Sequence, residues 1–269
     1  MNHPTTPLPA LAPLTPVTLP RGPRMSKGRR LTIITGGGRG IGAATALRLA
    51  AEGHDLVLSY LGDQESAERS ADEARGHGVT VTVVQGDVSD PEQVDALFDT
   101  AAGLGQLTGL VNNAGSTLHS GDLVDTPVEV VRRVVEVNLT GAILVARRAV
   151  RDLIEGGAVV NVSSAAATLG SPHEYVHYAA AKAGVDALTV GLAQEVAARG
   201  IRVNGVAPGI VRTEIHAAAG DPDRLERVAS RVPLGRVGEP DEIAAAIAWL
   251  LGDGCPYATG ATLRVAGGR

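Results

Sequence analysis

Cysteine is almost missing: Cys255 stands alone among 269 residues, so neither an intrachain disulfide nor a thiolate metal cluster can form. Aromatic residues make up only 2%, namely Tyr60, Phe98, Tyr175, Tyr178, Trp249 and Tyr257, which leaves the core to Val, Ile, Leu and Ala. Lysine is scarcer still. Of 24 basic residues only Lys27 and Lys182 are lysines. There is no uninterrupted apolar run of about 18 residues, so no membrane-spanning helix is expected. An excess of positive charge is missing too. The net charge of −5 argues against a protein that reads nucleic-acid phosphates by charge. What is there is a globular composition, 44% hydrophobic and 20% charged, which excludes wholesale disorder. The length fits one large α/β domain better than two small ones.

The beginning of the chain reads differently from the rest. Seven of the 15 prolines fall within residues 1–23: Pro4, Pro7, Pro9, Pro13, Pro16, Pro20 and Pro23. Proline removes backbone donors and breaks both helix and ladder, so residues 1–29 are expected to be a disordered tail. Residues 1–30 carry five positive charges and no acid, which leaves −10 on the remainder once they are taken from the total of −5. A secretory leader needs its charge first and then an unbroken apolar run, and a transit peptide is amphipathic. Neither pattern is present, so a cytoplasmic location is expected. Met1 and Met25 are the only methionines, and Met25 is an alternative start.

From residue 30 to 269 one domain is expected. Short apolar runs at 31–35, 55–60, 79–85, 107–112, 158–163, 201–207 and 261–265 read as strands. Helical patterns occupy 41–52, 64–76, 91–103, 127–154, 178–199 and 241–251. Apolar strands alternating with helices predict a parallel sheet covered on both faces, and right-handed crossovers make it a doubly wound α/β fold.

The first strand runs into Thr35-Gly36-Gly37-Gly38-Arg39-Gly40-Ile41-Gly42 and then directly into a helix. Glycines there let the backbone turn tightly and approach a pyrophosphate lying on the helix N-terminus. A glycine-rich turn alone is weak evidence, but its position after the first strand is the one that mechanism requires. The spacing, Thr-Gly-x-x-x-Gly-x-Gly, resembles that of the classical short-chain dehydrogenase/reductase family. Further motifs of that family follow in order. They are Asp87-Val88, Asn112-Asn113-Ala114-Gly115, Asn138, Ser163-Ser164, Tyr178-x-x-x-Lys182, Pro208-Gly209 with Val211 and Thr213, Thr259-Gly260 and Gly267-Gly268. The segment Ser171 to Tyr178 is similar to that of bacterial glucose-dehydrogenase-like members without an assigned substrate. The resemblance implies a seven-stranded Rossmann sheet of order 3-2-1-4-5-6-7.

Tyr178 and Lys182 are four apart on a helix and share one face. A nearby ammonium favours phenolate, so Lys182 is expected to lower the phenol and fit it for acid/base work. A surface Tyr–Lys pair is the ordinary alternative, but Lys182 is the only lysine in the expected domain. Ser164 or Ser163, on opposite faces of the strand end, would hydrogen-bond the substrate oxygen, and the family pattern favours Ser164. The loop from Ser164 to Tyr178 is one residue longer than the commonest family spacing. By resemblance Asn138 holds a water linked to Lys182, and Lys182 also binds the nicotinamide ribose. The implied reaction is hydride transfer between nicotinamide and a carbonyl or secondary alcohol.

The implied cofactor contacts are Gly36, Gly38, Arg39, Gly40, Ile41, Gly42, Tyr60, Asp87, Val88, Asn113, Ala114, Gly115, Tyr178, Lys182, Pro208, Gly209, Val211 and Thr213. An acid ending the second strand selects NAD. This strand ends Leu58-Ser59-Tyr60-Leu61-Gly62, with Asp63 later, while Arg39 can reach a 2′-phosphate, so NADP is expected and NAD is the alternative. Asp87 would accept from the adenine amino group, with local capping as its competing role. Residues 211–233, with Ile215 and His216, match the family's substrate lid. His119, His173, His177 and His216 read as loop residues without a ligand cluster, so no metal is expected. The helices 127–154 and 178–199 carry spare apolar positions, and the resemblance implies a homotetramer. The competing functions are an NAD-dependent alcohol or sugar dehydrogenase and a nucleotide-sensing protein that does no chemistry.

Overall fold

Adjacent aliphatic residues in one strand point to opposite faces, so a doubly apolar run needs a cover on each side. The computed structural model describes residues 29–215 and 224–269 and shows that arrangement. Strands β1 (Arg30–Ile34), β2 (His54–Tyr60), β3 (Val81–Gln85), β4 (Leu107–Asn112), β5 (Ala158–Val162), β6 (Arg202–Pro208) and β7 (Thr262–Val265) form one parallel sheet. Its order is β3-β2-β1-β4-β5-β6-β7, a doubly wound Rossmann sheet.

On one face Ile34, Leu58, Val111 and Val160 pack against α1 (Gly40–Ala51), α2 (Gln64–Arg75) and α9 (Pro240–Leu251). On the other, Ile33, Val57, Leu110 and Val159 meet α3 (Pro91–Leu104), α5 (Ala142–Asp152) and α7 (Val176–Val196). The filling is aliphatic as expected, with Phe98 the largest fully buried side chain. The short helices α6 (Ala166–Leu169) and α8 (Arg224–Ala229) lack a sequence signal of their own. The alternative start Met25 and the lid residue His216 lie outside the described residues, as does the proline-rich segment up to residue 28. Arg29, the last residue of the expected tail, donates to Asp55 Oδ1 at 3.1 Å.

One expected element is corrected. Residues 127–154 are not a single α-helix. After α4 (Val128–Val135) the chain widens into a π-helical turn, Glu136–Gly141, before α5 begins. The Asn138 amide donates to Val134 O, one turn back, at 2.9 Å and so competes for a carbonyl of the helix ladder. Sequence periodicity does not reveal that insertion.

His54 gives β2 a pH-dependent stability. It is 3% exposed and its Nδ1 lies 2.9 Å from Thr32 Oγ1. Burial first, and then Arg30, pull its pKa from 6.5 down to about 4. Between those values the unfolded chain binds a proton that the folded chain refuses, so stability falls as pH drops from 6.5 towards 4. It falls no further below 4 on this account. The expected loss at pH 5 relative to pH 7 is about 2 kcal/mol. Urea unfolding of the wild type and His54→Gln at both pH values checks this. An equal acid loss in the variant sinks it.

Candidate active site

The glycine loop is locked to the end of β4 by a hydroxyl and an amide. Thr35 Oγ1 accepts from Asn113 N at 2.9 Å and Ala114 N at 3.0 Å. Asn113 Nδ2 donates to Thr35 O at 2.9 Å and Gly36 O at 3.1 Å. Gly36 has φ +66, in the left-handed region that favours glycine. A Cβ on Gly42 would stand 2.1 Å from Gly36 O, so this position supports the loop from behind.

In front of the loop opens a cavity of about 400 Å³. Gly36, Gly38, Arg39, Gly40, Ile41, Tyr60, Asp87, Val88, Asn113, Ala114, Gly115 and Thr213 line it. A second cavity of about 110 Å³ continues past Ile41, Asn113, Gly115 and Thr213 to Ser164, Tyr178, Lys182, Pro208, Gly209 and Val211. Gly42 and Asn138 line neither.

At the inner end Tyr178 and Ser164 line one cavity, and the Tyr178 ring stacks edge-on with Tyr175 at 5.5 Å. Ser163 instead donates to Lys182 O at 3.2 Å and is buried. It is therefore Ser164 that meets the phenol. Lys182 Nζ lies 5.7 Å from the Tyr178 ring centre and donates to Val162 O at 2.8 Å. Burial draws Lys182 from 10.5 down to about 8, with Asp186 opposing. Burial also pushes the Tyr178 phenol well above its ordinary value; Tyr175 adds to the shift and the Ser164 hydrogen bond opposes it. The expected lowering by Lys182 is thus corrected: burial dominates, and the phenol stands above rather than below its ordinary value, protonated at neutral pH.

Asn138 is fully buried behind Gly115. A Cβ on Gly115 would meet Asn138 Oδ1 at 2.7 Å and Lys182 Nζ at 3.5 Å, so the two polar groups converge there. The Asn138 amide donates to Ser116 O at 2.7 Å and accepts from Ser116 N at 3.3 Å, pinning the chain after β4.

Asp87 is held below the usual carboxylate range. Burial raises it, but hydrogen bonds from Ser89 and Arg133 prevail. Asp63 accepts from Ser66 N at 3.0 Å and caps α2, and that bond lowers its carboxyl. Arg39 lines the larger cavity and makes no ion pair among the described residues. Ser59, Ser66, Ser116, Thr117 and Arg133 also line it, and nothing in their local sequence marks them. His177 is corrected from loop to helix, in the first turn of α7. Its Nε2 lies 3.4 Å from Thr117 O. Among the described residues no three or more His, Cys, Asp or Glu gather as metal ligands.

A glycine loop after β1 and a parallel sheet winding both ways from it define a dinucleotide-type Rossmann architecture. The family model described as "Enoyl-(Acyl carrier protein) reductase" matches residues 36–269. The chain is 44% identical over 245 residues to the "Uncharacterized oxidoreductase YgfF" of Escherichia coli, covering 89% of this chain and 99% of that one. It is 42% identical over 244 residues to 3beta-hydroxysteroid dehydrogenase 1 of Eggerthella lenta, covering 89% and 93%. A short-chain dehydrogenase from Burkholderia cenocepacia, solved in complex with NADP, superposes with TM-score 0.83 at 34% identity, covering 89% of this chain and 97% of that one. The chain belongs to the classical short-chain dehydrogenase/reductase family of oxidoreductases.

Proposed function

We propose that the protein is an NADP(H)-dependent oxidoreductase that interconverts a small-molecule carbonyl and its secondary alcohol, with Tyr178 as the acid/base. The observation that carries this reading is that the two cavities share Ile41, Asn113, Gly115 and Thr213 in their walls: one opens on the glycine loop and the other is lined by Ser164, Tyr178 and Lys182. The residues fit a dinucleotide, because glycine backbone, the Arg39 cation and the Asp87 carboxylate face one cavity. When bound, the nicotinamide supplies or takes the hydride. Tyr178, protonated at neutral pH, gives its proton to the substrate oxygen during reduction and recovers one in the reverse direction. Ser164 donates a hydrogen bond to that same oxygen. Lys182 holds the nicotinamide ribose, and Asn138 fixes the chain beside it. Tyr175, Ile210 and Ile215 give the substrate end an apolar wall. The same reading includes a homotetramer, supported by the exposed aliphatic side chains of Ile143 on α5 and Val190 on α7, and a cytoplasmic location.

The preference for NADP rests on Arg39. A cation beside the cavity that makes no ion pair among the described residues suits a 2′-phosphate, whereas the Asp63 carboxylate is engaged in capping α2. Asp63 still lines the cavity, and that favours the second reading, an NAD-dependent alcohol or sugar dehydrogenase. Steady-state kinetics with both cofactors decides between them. NADPH is expected to give the higher kcat/KM, and Arg39→Ala to raise KM for NADPH about tenfold while sparing NADH. An equal or higher kcat/KM for NADH overturns the preference.

A further inference from the structure

A loop carboxylate with free oxygens could receive a base amino group from several directions. Asp87 has almost no such freedom. Its Oδ1 accepts from Ser89 N at 2.9 Å and from Ser89 Oγ at 2.6 Å. Its Oδ2 accepts from Arg133, which reaches over from α4. A carboxylate oxygen offers two acceptor sites, so Oδ1 is saturated and Oδ2 keeps one. The clamp is closed by the second arm of the same guanidinium, which donates to Ser89 Oγ at 2.8 Å. Asp87, Arg133, Val88 and Val137 all line the larger cavity.

The arrangement has two physical consequences. Arg133 offsets a negative charge that would otherwise face a polyanionic cofactor, and it places a planar, weakly hydrated cation beside a slot walled by valines. It also turns a four-site acceptor into a single-site one with a fixed direction. We infer that Arg133 is a positioning residue for the cofactor's base, clamping Asp87 so that its one remaining acceptor selects an exocyclic amino group and rejects a ring carbonyl in the same place. This rests on the dinucleotide reading above. Adenine satisfies the free lone pair of Asp87, whereas hypoxanthine sets an acceptor against an acceptor, and an unmet polar group at a desolvated contact discriminates strongly.

The test compares NADPH with its deaminated analogue, in which hypoxanthine replaces adenine. Both are titrated by cofactor fluorescence against the full-length wild type, Arg133→Met and Arg133→Lys. The wild type is expected to bind NADPH about tenfold or more tighter than the analogue. Arg133→Met keeps the aliphatic stem but frees the carboxylate, and the preference is expected to shrink to within about threefold, with the loss falling on NADPH. Arg133→Lys supplies charge without the two-armed fork and is expected to lose most of the preference too. Melting curves verify that the variants fold, and if the methionine variant does not, the lysine variant carries the comparison. In turnover the effect belongs to KM for NADPH rather than to kcat. A full base preference in a folded variant, or none in the wild type, overturns the role of Arg133 and leaves the cofactor reading standing. A wild type that binds neither dinucleotide overturns both.

Discussion

Tyr178→Phe loses at least about a thousandfold in kcat and keeps its affinity for NADPH within about threefold. The substitution removes one oxygen and little else. The ring remains in the small cluster it forms with Val134, Ala166, Tyr175 and Ala179, and its edge-on contact with Tyr175 needs no hydroxyl. What disappears is the phenol proton and the oxygen that stands beside Ser164 in the smaller cavity. No other described tyrosine has a lysine four residues on, so none can stand in. The groups proposed to hold the cofactor in the glycine loop, at the end of β4 and at Lys182 are unchanged, and the phenylalanine ring keeps its place in the wall of the smaller cavity. Stopped-flow or steady-state reduction assays and a fluorescence titration check the two halves separately. A variant that turns over within tenfold of the wild type sinks the acid/base role. Full binding with no turnover in the variant also excludes the nucleotide-sensing alternative, provided the wild type turns over.

Gly42→Ala strikes the binding half. Its new methyl would stand 2.1 Å from Gly36 O and 2.8 Å from Asn113 Nδ2, two groups already bonded to each other at 3.1 Å. The nearer obstacle is backbone and cannot rotate away, so either α1 shifts or the clamp between the loop and β4 opens. NADPH affinity is expected to fall about a hundredfold or more, and overpacking of about 1–3 kcal/mol lowers Tm by about 5 °C. Gly103→Ala is the control. It lies in the last turn of α3 with open space around the new methyl, so neither quantity should move by much. Unchanged binding in Gly42→Ala refutes the role given to the loop.

The fold was legible because its strands are written as uninterrupted aliphatic runs. The strand expected at 107–112 forms at those residues, whereas β2 gains His54 and β3 starts at Val81 rather than 79. Composition marks a strand's interior well and its ends poorly, because ends depend on the neighbouring strand's register. The glycine loop and the Tyr178–Lys182 pair were legible as patterns, because the chemistry proposed for each asks for fixed residue types at short spacing. Arg133 was not, since it meets Asp87 from 46 positions away in the chain. The π-helical turn was not, because the bond from Asn138 to Val134 O that accompanies it leaves no mark in the periodicity. The direction of the phenol shift is hidden from the sequence for a related reason. A lysine four residues on is visible in the sequence, but the desolvation that dominates the shift comes from the rest of the fold.

The buried position of Lys182 also decides which covalent signals the protein can receive. Residues 31–269 carry a single side-chain amine, and it is 4% exposed. Arginine, which supplies every other basic side chain there, accepts neither an acetyl group nor ubiquitin through an amide bond. Lysine acylation, ubiquitin tagging and amine-directed cross-linking therefore find no surface target on this part of the chain. Any such chemistry that did reach it would have to enter through the cavity and would modify a residue of the proposed active site.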